Sequence, residues 1–163
     1  MSIKKISLFL ISILSLSIVL SGCSYLEDTG NEEYIETAQE SAPDNEDLKE
    51  YIEHLKPVIE KLYEDKGELK SIGVKGNSVL VEVDLGESPE PYDDFKNLMV
   101  YETTRITSAI YSYREDNPVL DEIYKVSIDF TNQKNITLYG KQREEIDGKK
   151  EFSSGTILNA VKN

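Results

Sequence analysis

Three features of the chain predict an α+β domain: an antiparallel sheet of four to five strands with two main helices packed on one face as a two-layer sandwich. Apolar residues recur at three- and four-residue steps in two segments, Leu48–Leu62 and Tyr92–Tyr113. Between and after them, apolar and polar residues alternate around Ile72–Val83 and again over Tyr124–Leu138. The order helix, strand, strand, helix, strand, strand places helices where they can cover one side of a sheet whose other side meets water.

In the first helix Leu48, Tyr51, Ile52, Leu55, Ile59 and Leu62 share one face. Asp44 is the expected N-cap, with Asp47 three residues later, and Gly67 after Lys66 is the expected left-handed C-terminal stop. Pro57 lies inside this helix, where it removes a backbone hydrogen bond and crowds the preceding turn, so a kink or break near Lys56 is expected. Strands Leu69–Lys75 and Ser78–Leu85 then flank Gly76-Asn77, a two-residue loop suited to a type II′ turn. Pairing Lys75 with Ser78 sets Val74 against Val79 and Ile72 against Val81, all four on one face, so the turn and the apolar pattern agree on a single register.

Tyr92, Phe95, Met99, Ile106, Ile110 and Tyr113 trace the second helical stripe, with Thr103 filling a gap. Pro91 fits its first turn and Asn117-Pro118 its stop. Tyr124, Val126, Ile128 and Phe130 alternate with polar residues, and Ile136 and Leu138 continue after a turn at Thr131–Asn135. Past Arg143, Asp147-Gly148 is expected to turn a second hairpin between Glu144–Ile146 and Lys149–Phe152, a source for the fifth strand, with a short helix over Thr156–Val161.

The N-terminus carries a different signal. Lys4 and Lys5 precede an apolar run from Ile6 to Leu20 that is short for a bilayer-spanning helix and leads directly into Leu20-Ser21-Gly22-Cys23. This segment resembles the lipobox signal of bacterial lipoproteins. The resemblance implies diacylglyceryl transfer to the Cys23 thiol and cleavage between Gly22 and Cys23, so that Cys23 becomes the first mature residue. Cys23 is the only cysteine, which leaves it no disulfide or metal-site partner within the chain. The expected organisation is a signal peptide at 1–22, an acidic flexible tether at 23–45 bearing the lipidated Cys23, and a single domain at 46–163. Every charged residue from Ser24 to Asp47 is acidic and the apolar residues there follow no period, which is why a self-repelling tether is expected. About 115 residues then remain, enough for one core and too few for two.

The resemblance places the protein on the outer face of a cytoplasmic membrane, held by its acyl anchor; the bias toward lysine, isoleucine and asparagine points to an AT-rich, Gram-positive source, and a Gram-negative one would place it at the outer membrane. A net charge of −13 opposes phosphate backbones and anionic headgroups, so no nucleic acid partner is expected.

Motifs for chemistry are sparse. His54 is the single histidine and has no second histidine or nearby thiol with which to hold zinc. Asp93-Asp94 suits the acidic first turn of a helix, and Glu144-Glu145 would point to opposite faces of a strand, so neither pair forms a converging acid and base. No catalytic residue, metal site or cofactor is expected. Tyr101 and Tyr111 lie off the main stripe of the second helix near Arg105, and tyrosine beside arginine is a composition favoured at protein interfaces. These three residues are the candidate interaction surface. The expected function is a lipid-anchored binding module for an envelope protein partner. An accessory or exclusion lipoprotein of a conjugative element or phage is the alternative, and a cell-wall or extracellular hydrolase the third.

Overall fold

A computed structural model describes residues 42–64, 67–87 and 94–163. The signal segment, Cys23, most of the expected tether, Lys66, Pro91, Tyr92 and Asp93 lie outside the described residues.

Helix α1, Glu46–Glu60, starts one residue later than the Asp44 cap implies. Asn45 is the N-cap, its Oδ1 accepting from the Leu48 N–H at 3.0 Å. Asp44 turns instead to the hairpin, where its carboxylate accepts from the Gly76 N–H at 3.0 Å. The Asn45 amide group donates to Asn77 Oδ1 and Glu122 Oε2, and the Asn45 N–H donates to the Gly76 carbonyl. One residue thus caps α1 and pins it to two other parts of the fold. Asn45→Ala is expected to cost about 1–2 kcal/mol, the upper end for a lost cap because the side chain has three roles; the shift of the urea unfolding midpoint measures it.

No break occurs at Pro57, which stays inside α1. Its missing N–H would have bonded the carbonyl of Glu53; both residues are exposed, so that carbonyl is open to solvent and is not left orphaned in the core. The helix then tightens into one 3₁₀ turn, Lys61–Tyr63. Gly67 does adopt a left-handed conformation, φ 83°, but beyond this turn, at the entry to the first strand, where an added Cβ would lie 2.3 Å from the Asp84 carbonyl oxygen. Its role is close approach of two backbones rather than capping α1.

Strands β1 (Glu68–Lys75) and β2 (Ser78–Asp84) form the expected hairpin in the expected register, Lys75↔Ser78, Val74↔Val79 and Ile72↔Val81. Gly76 supplies the positive φ, 57°, at the turn. Helix α2, Phe95–Ser112, is capped by Asp94, and strands β3 (Lys125–Phe130) and β4 (Lys134–Tyr139) follow. The sheet order is β1-β2-β3-β4.

The sheet is mostly antiparallel, as expected, except for its central pair: β2 and β3 run parallel. The cause is α2. Its 18 residues span about 27 Å, enough to return the chain from the far end of β2 to the end where β2 began. β3 therefore starts beside Ser78 and runs the same way.

Across the strands Val79, Val126 and Leu138 fall in one row and Val81, Ile128 and Ile136 in the next. All six are buried, together with Leu48, Ile52, Leu55 and Ile59 of α1 and Ile106 and Ile110 of α2. Tyr51 on α1 also donates its hydroxyl to the Ile110 carbonyl at 2.6 Å, joining the two helices through a buried hydrogen bond. The opposite face of the sheet carries Ser71, Glu82, Ser127, Asp129, Asn135 and Thr137.

The expected fifth strand does not join this sheet. Strands β5 (Glu144–Ile146) and β6 (Lys149–Glu151) pair only with each other, turning at Asp147 and Gly148, both with positive φ. Apart from Ile146 their side chains are charged, and all but Glu151 are exposed, so they offer no apolar face to the core; a 3₁₀ turn at Gly140–Gln142 redirects the chain between β4 and β5. A third helix, α3 (Ser154–Lys162), capped by Ser153, packs on β4 and α2 through Ile157 and Val161.

Candidate functional site

The three candidate surface residues do not form one surface. Tyr101 is 46 % exposed, with the Arg105 guanidinium 5.4 Å from its ring centroid. Tyr111 is only 6 % exposed and cannot offer contact area to a partner. Two helical turns and more separate it from Tyr101, and it points instead toward the chain's C-terminal third. There it meets Phe152 edge-on at 5.7 Å, and Arg143 stacks on it at 4.3 Å from the ring centroid. Burial pushes its phenol up to about 12, against the lowering effect of Arg143.

Arg105 is structural as much as exposed. Its Nη1 donates to both carboxylate oxygens of Glu102, at 2.9 and 3.1 Å, and its Nη2 donates to the Leu62 carbonyl at 3.0 Å. The Glu102 side chain is 4 % exposed, so this is a carboxylate held inside the fold by one guanidinium. The pair ties α2 to the 3₁₀ turn after α1. Tyr63, in that turn, is buried beside Glu102; burial, reinforced by the Glu102 charge, pushes its phenol up.

Other acidic groups have local duties. Asp94 accepts from the Asn97 N–H at 2.8 Å as the cap of α2, and Glu144 accepts from Ser153 Oγ at 3.1 Å. His54 is a surface residue whose Nε2 lies 3.8 Å from Glu50 Oε1, one turn away on α1. Among the described residues no group of three or more His, Cys, Asp or Glu is placed to hold a metal ion, and no helix is long and apolar enough to cross a membrane.

Several charged residues surround the β5–β6 hairpin. Arg143 donates to the Leu120 carbonyl and to Asp121 Oδ1, at 3.1 and 3.0 Å. Lys150 Nζ reaches the same Asp121 oxygen at 3.1 Å, and Lys149 Nζ lies 2.6 Å from Glu115 Oε2. The hydrogen bond from Lys150 and the adjacent Arg143 hold the Asp121 carboxyl below the usual carboxylate range. These ion pairs link the hairpin to Glu115 in the turn that follows α2 and to the 3₁₀ turn Pro118–Asp121, beside a cleft of about 380 Å³.

No family model, curated protein or solved structure matches the chain. The cleft residues Glu115, Asp121, Lys149 and Lys150 were not distinguished by sequence pattern, because a run of charges in a chain with 31 acidic residues resembles any solvated face. One signal was available for Arg143: it is one of only three arginines, in a chain that otherwise uses lysine, and both of the others also lie over tyrosine rings.

Proposed function

We propose that the protein is a lipid-anchored binding module, tethered through Cys23 outside the cytoplasm and contacting an envelope protein. The anchor half of this proposal rests on Leu20-Ser21-Gly22-Cys23 following a short apolar segment. The observation that carries the binding half is Tyr101: a large aromatic side chain, 46 % exposed on a helix whose inner face is fully used by the core, with a guanidinium beside it. Aromatic area next to arginine is what anchors many protein contacts. The duties of the carboxylates favour binding over hydrolysis, since Asp94, Glu102, Asp121 and Glu144 are all engaged in caps or pairs within the fold.

A photoreactive amino acid placed at position 101 in cells tests the proposal, with the same group at exposed Glu53 on α1 as the control. A discrete protein adduct from position 101 and not from position 53 is expected. Failure to capture any protein from either position, or turnover of cell-wall material by the purified protein, would overturn it.

A further inference from the structure

Helix α2 carries no acidic residue on its surface. Its only carboxylate is Glu102, which is buried and paired with Arg105. Helix α1, by contrast, exposes Glu46, Asp47, Glu50, Glu53 and Glu60. The outward face of α2 presents Asn97, Tyr101, Thr104, Ser108 and Ser112, all exposed and none charged. In a chain of net charge −13, this is a face that a second acidic surface can approach without setting carboxylate against carboxylate. Depletion of charge is also what marks the centre of protein contacts.

Two complementary shapes lie along this face. One is the Tyr101 ring, standing out from the helix with the Arg105 guanidinium beside it. The other is a pocket of about 200 Å³ between α2, the β5–β6 hairpin and the start of α3. Thr104, Ser108 and Tyr111 form its α2 side, Ile146 and Phe152 contribute apolar surface, and Glu151 is the only charged residue lining it. A cavity of about 150 Å³ is enough for a benzene ring, and a lone carboxylate among apolar and small side chains gives a phenol hydroxyl its acceptor. Ile146, at the pocket, is like Tyr101 one of the four large hydrophobic residues exposed among the described residues. Tyr101 lies about one turn before Thr104 and the pocket about one turn after it. A two-fold axis at the middle of α2 therefore sets the Tyr101 of each copy at the pocket of the other.

We propose that α2 and this pocket form a dimer interface with a second copy of the chain. The inference rests on the binding-module function and names its partner: the exposed tyrosine that carries that function is received by an identical domain. A symmetric contact needs knob and hole on a single patch, and α2 supplies both. A basic partner would be drawn to the carboxylate-rich faces, such as that of α1, rather than to this one. A pair of helices about 27 Å long makes a small interface, below about 1,200 Å², in the range of weak association. The dimer is therefore weak in solution, and a shared membrane anchor supplies the local concentration that populates it.

Two differently tagged copies of the full chain, produced in the same cells with a photoreactive phenylalanine at position 101, test this. Irradiation is expected to give an adduct of twice the chain mass that carries both tags and joins position 101 to residues 104–108 or 146–152 of the other copy. Ser108→Trp fills the pocket from an exposed position and is expected to lower the yield of this adduct at least about tenfold. Ile146→Asp, at the pocket's hairpin side, is expected to lower it at least about fivefold. Glu53→Trp adds the same bulk on α1 and is expected to leave the yield within about twofold of wild type. Melting temperatures of the three variants, expected to match wild type, separate loss of contact from loss of fold. A two-tag adduct that maps elsewhere, or that forms as well in folded Ser108→Trp and Ile146→Asp, overturns the interface. An adduct from position 101 with a different protein and none with a second copy overturns the dimer while leaving the binding-module function standing; no adduct of either kind overturns both.

Discussion

Val81→Asp is expected to leave the chain unfolded at room temperature. Val81 is 3 % exposed and lies in the second strand of the four, paired with Ile72 on one side and Ile128 on the other. Its replacement forfeits about 1.5–3 kcal/mol of apolar burial. It also forces a carboxylate into a row of aliphatic side chains with no cation to meet it, which costs several kcal/mol more even if the group takes up a proton. The sum is comparable to the whole stability of a domain this size, about 5–15 kcal/mol. Loss of the far-ultraviolet circular dichroism signal, or of a cooperative thermal transition, is the expected result; an unchanged melting temperature would reject the assigned face. Glu82→Ala, on the neighbouring residue of the other sheet face, is expected to shift stability by less than about 0.5 kcal/mol, and so serves as the register control.

The second large effect is expected from Arg105→Ala. The substitution leaves the Glu102 carboxylate inside the fold without its cation and the Leu62 carbonyl without its donor. Breaking a buried pair from one side costs about 3–5 kcal/mol; here about 2–4 is expected, because the Arg105 side chain is 27 % exposed. Removing both charges in Glu102→Gln/Arg105→Gln is expected to recover more than half of that loss, since no unpaired carboxylate then remains. Denaturant midpoints of the single and double variants measure the difference. If the single variant is the more stable of the two, the ion pair does not tie α2 to the turn after α1. An alanine at position 105 therefore cannot serve as a clean test of partner binding, whereas a change at Tyr101 alone can.

What the sequence revealed and what it hid follow from the range of the interactions involved. The register of the β1–β2 hairpin next to its turn was legible because Gly76-Asn77 and the alternation of Ile72, Val74, Val79 and Val81 are short-range signals that point to the same pairing. The second hairpin was legible at Asp147-Gly148 for the same reason, but its separation from the main sheet was not, since local pattern does not say which strand a neighbour joins. The parallel run of β2 and β3 depends on where α2 returns the chain, a property of length and packing. Tyr111 was misplaced because its burial comes from Arg143 and Phe152, more than thirty residues away, residues its own helix period cannot reveal. The α1 cap moved from Asp44 to Asn45 on a tertiary preference: Asp44 had a better partner in the Gly76 N–H.

The central proposal, that this domain is held at a membrane by lipid on Cys23, meets its most direct test in the intact mass and N-terminal sequence of protein isolated from cell membranes. The account predicts a chain that begins at Cys23, lacks the 22 residues before it and carries the added mass of a diacylglyceryl group, with an amide-linked acyl chain where the cell adds one; Cys23→Ala should remain unprocessed. A stable chain that begins at Met1 with a free Cys23 thiol would contradict it.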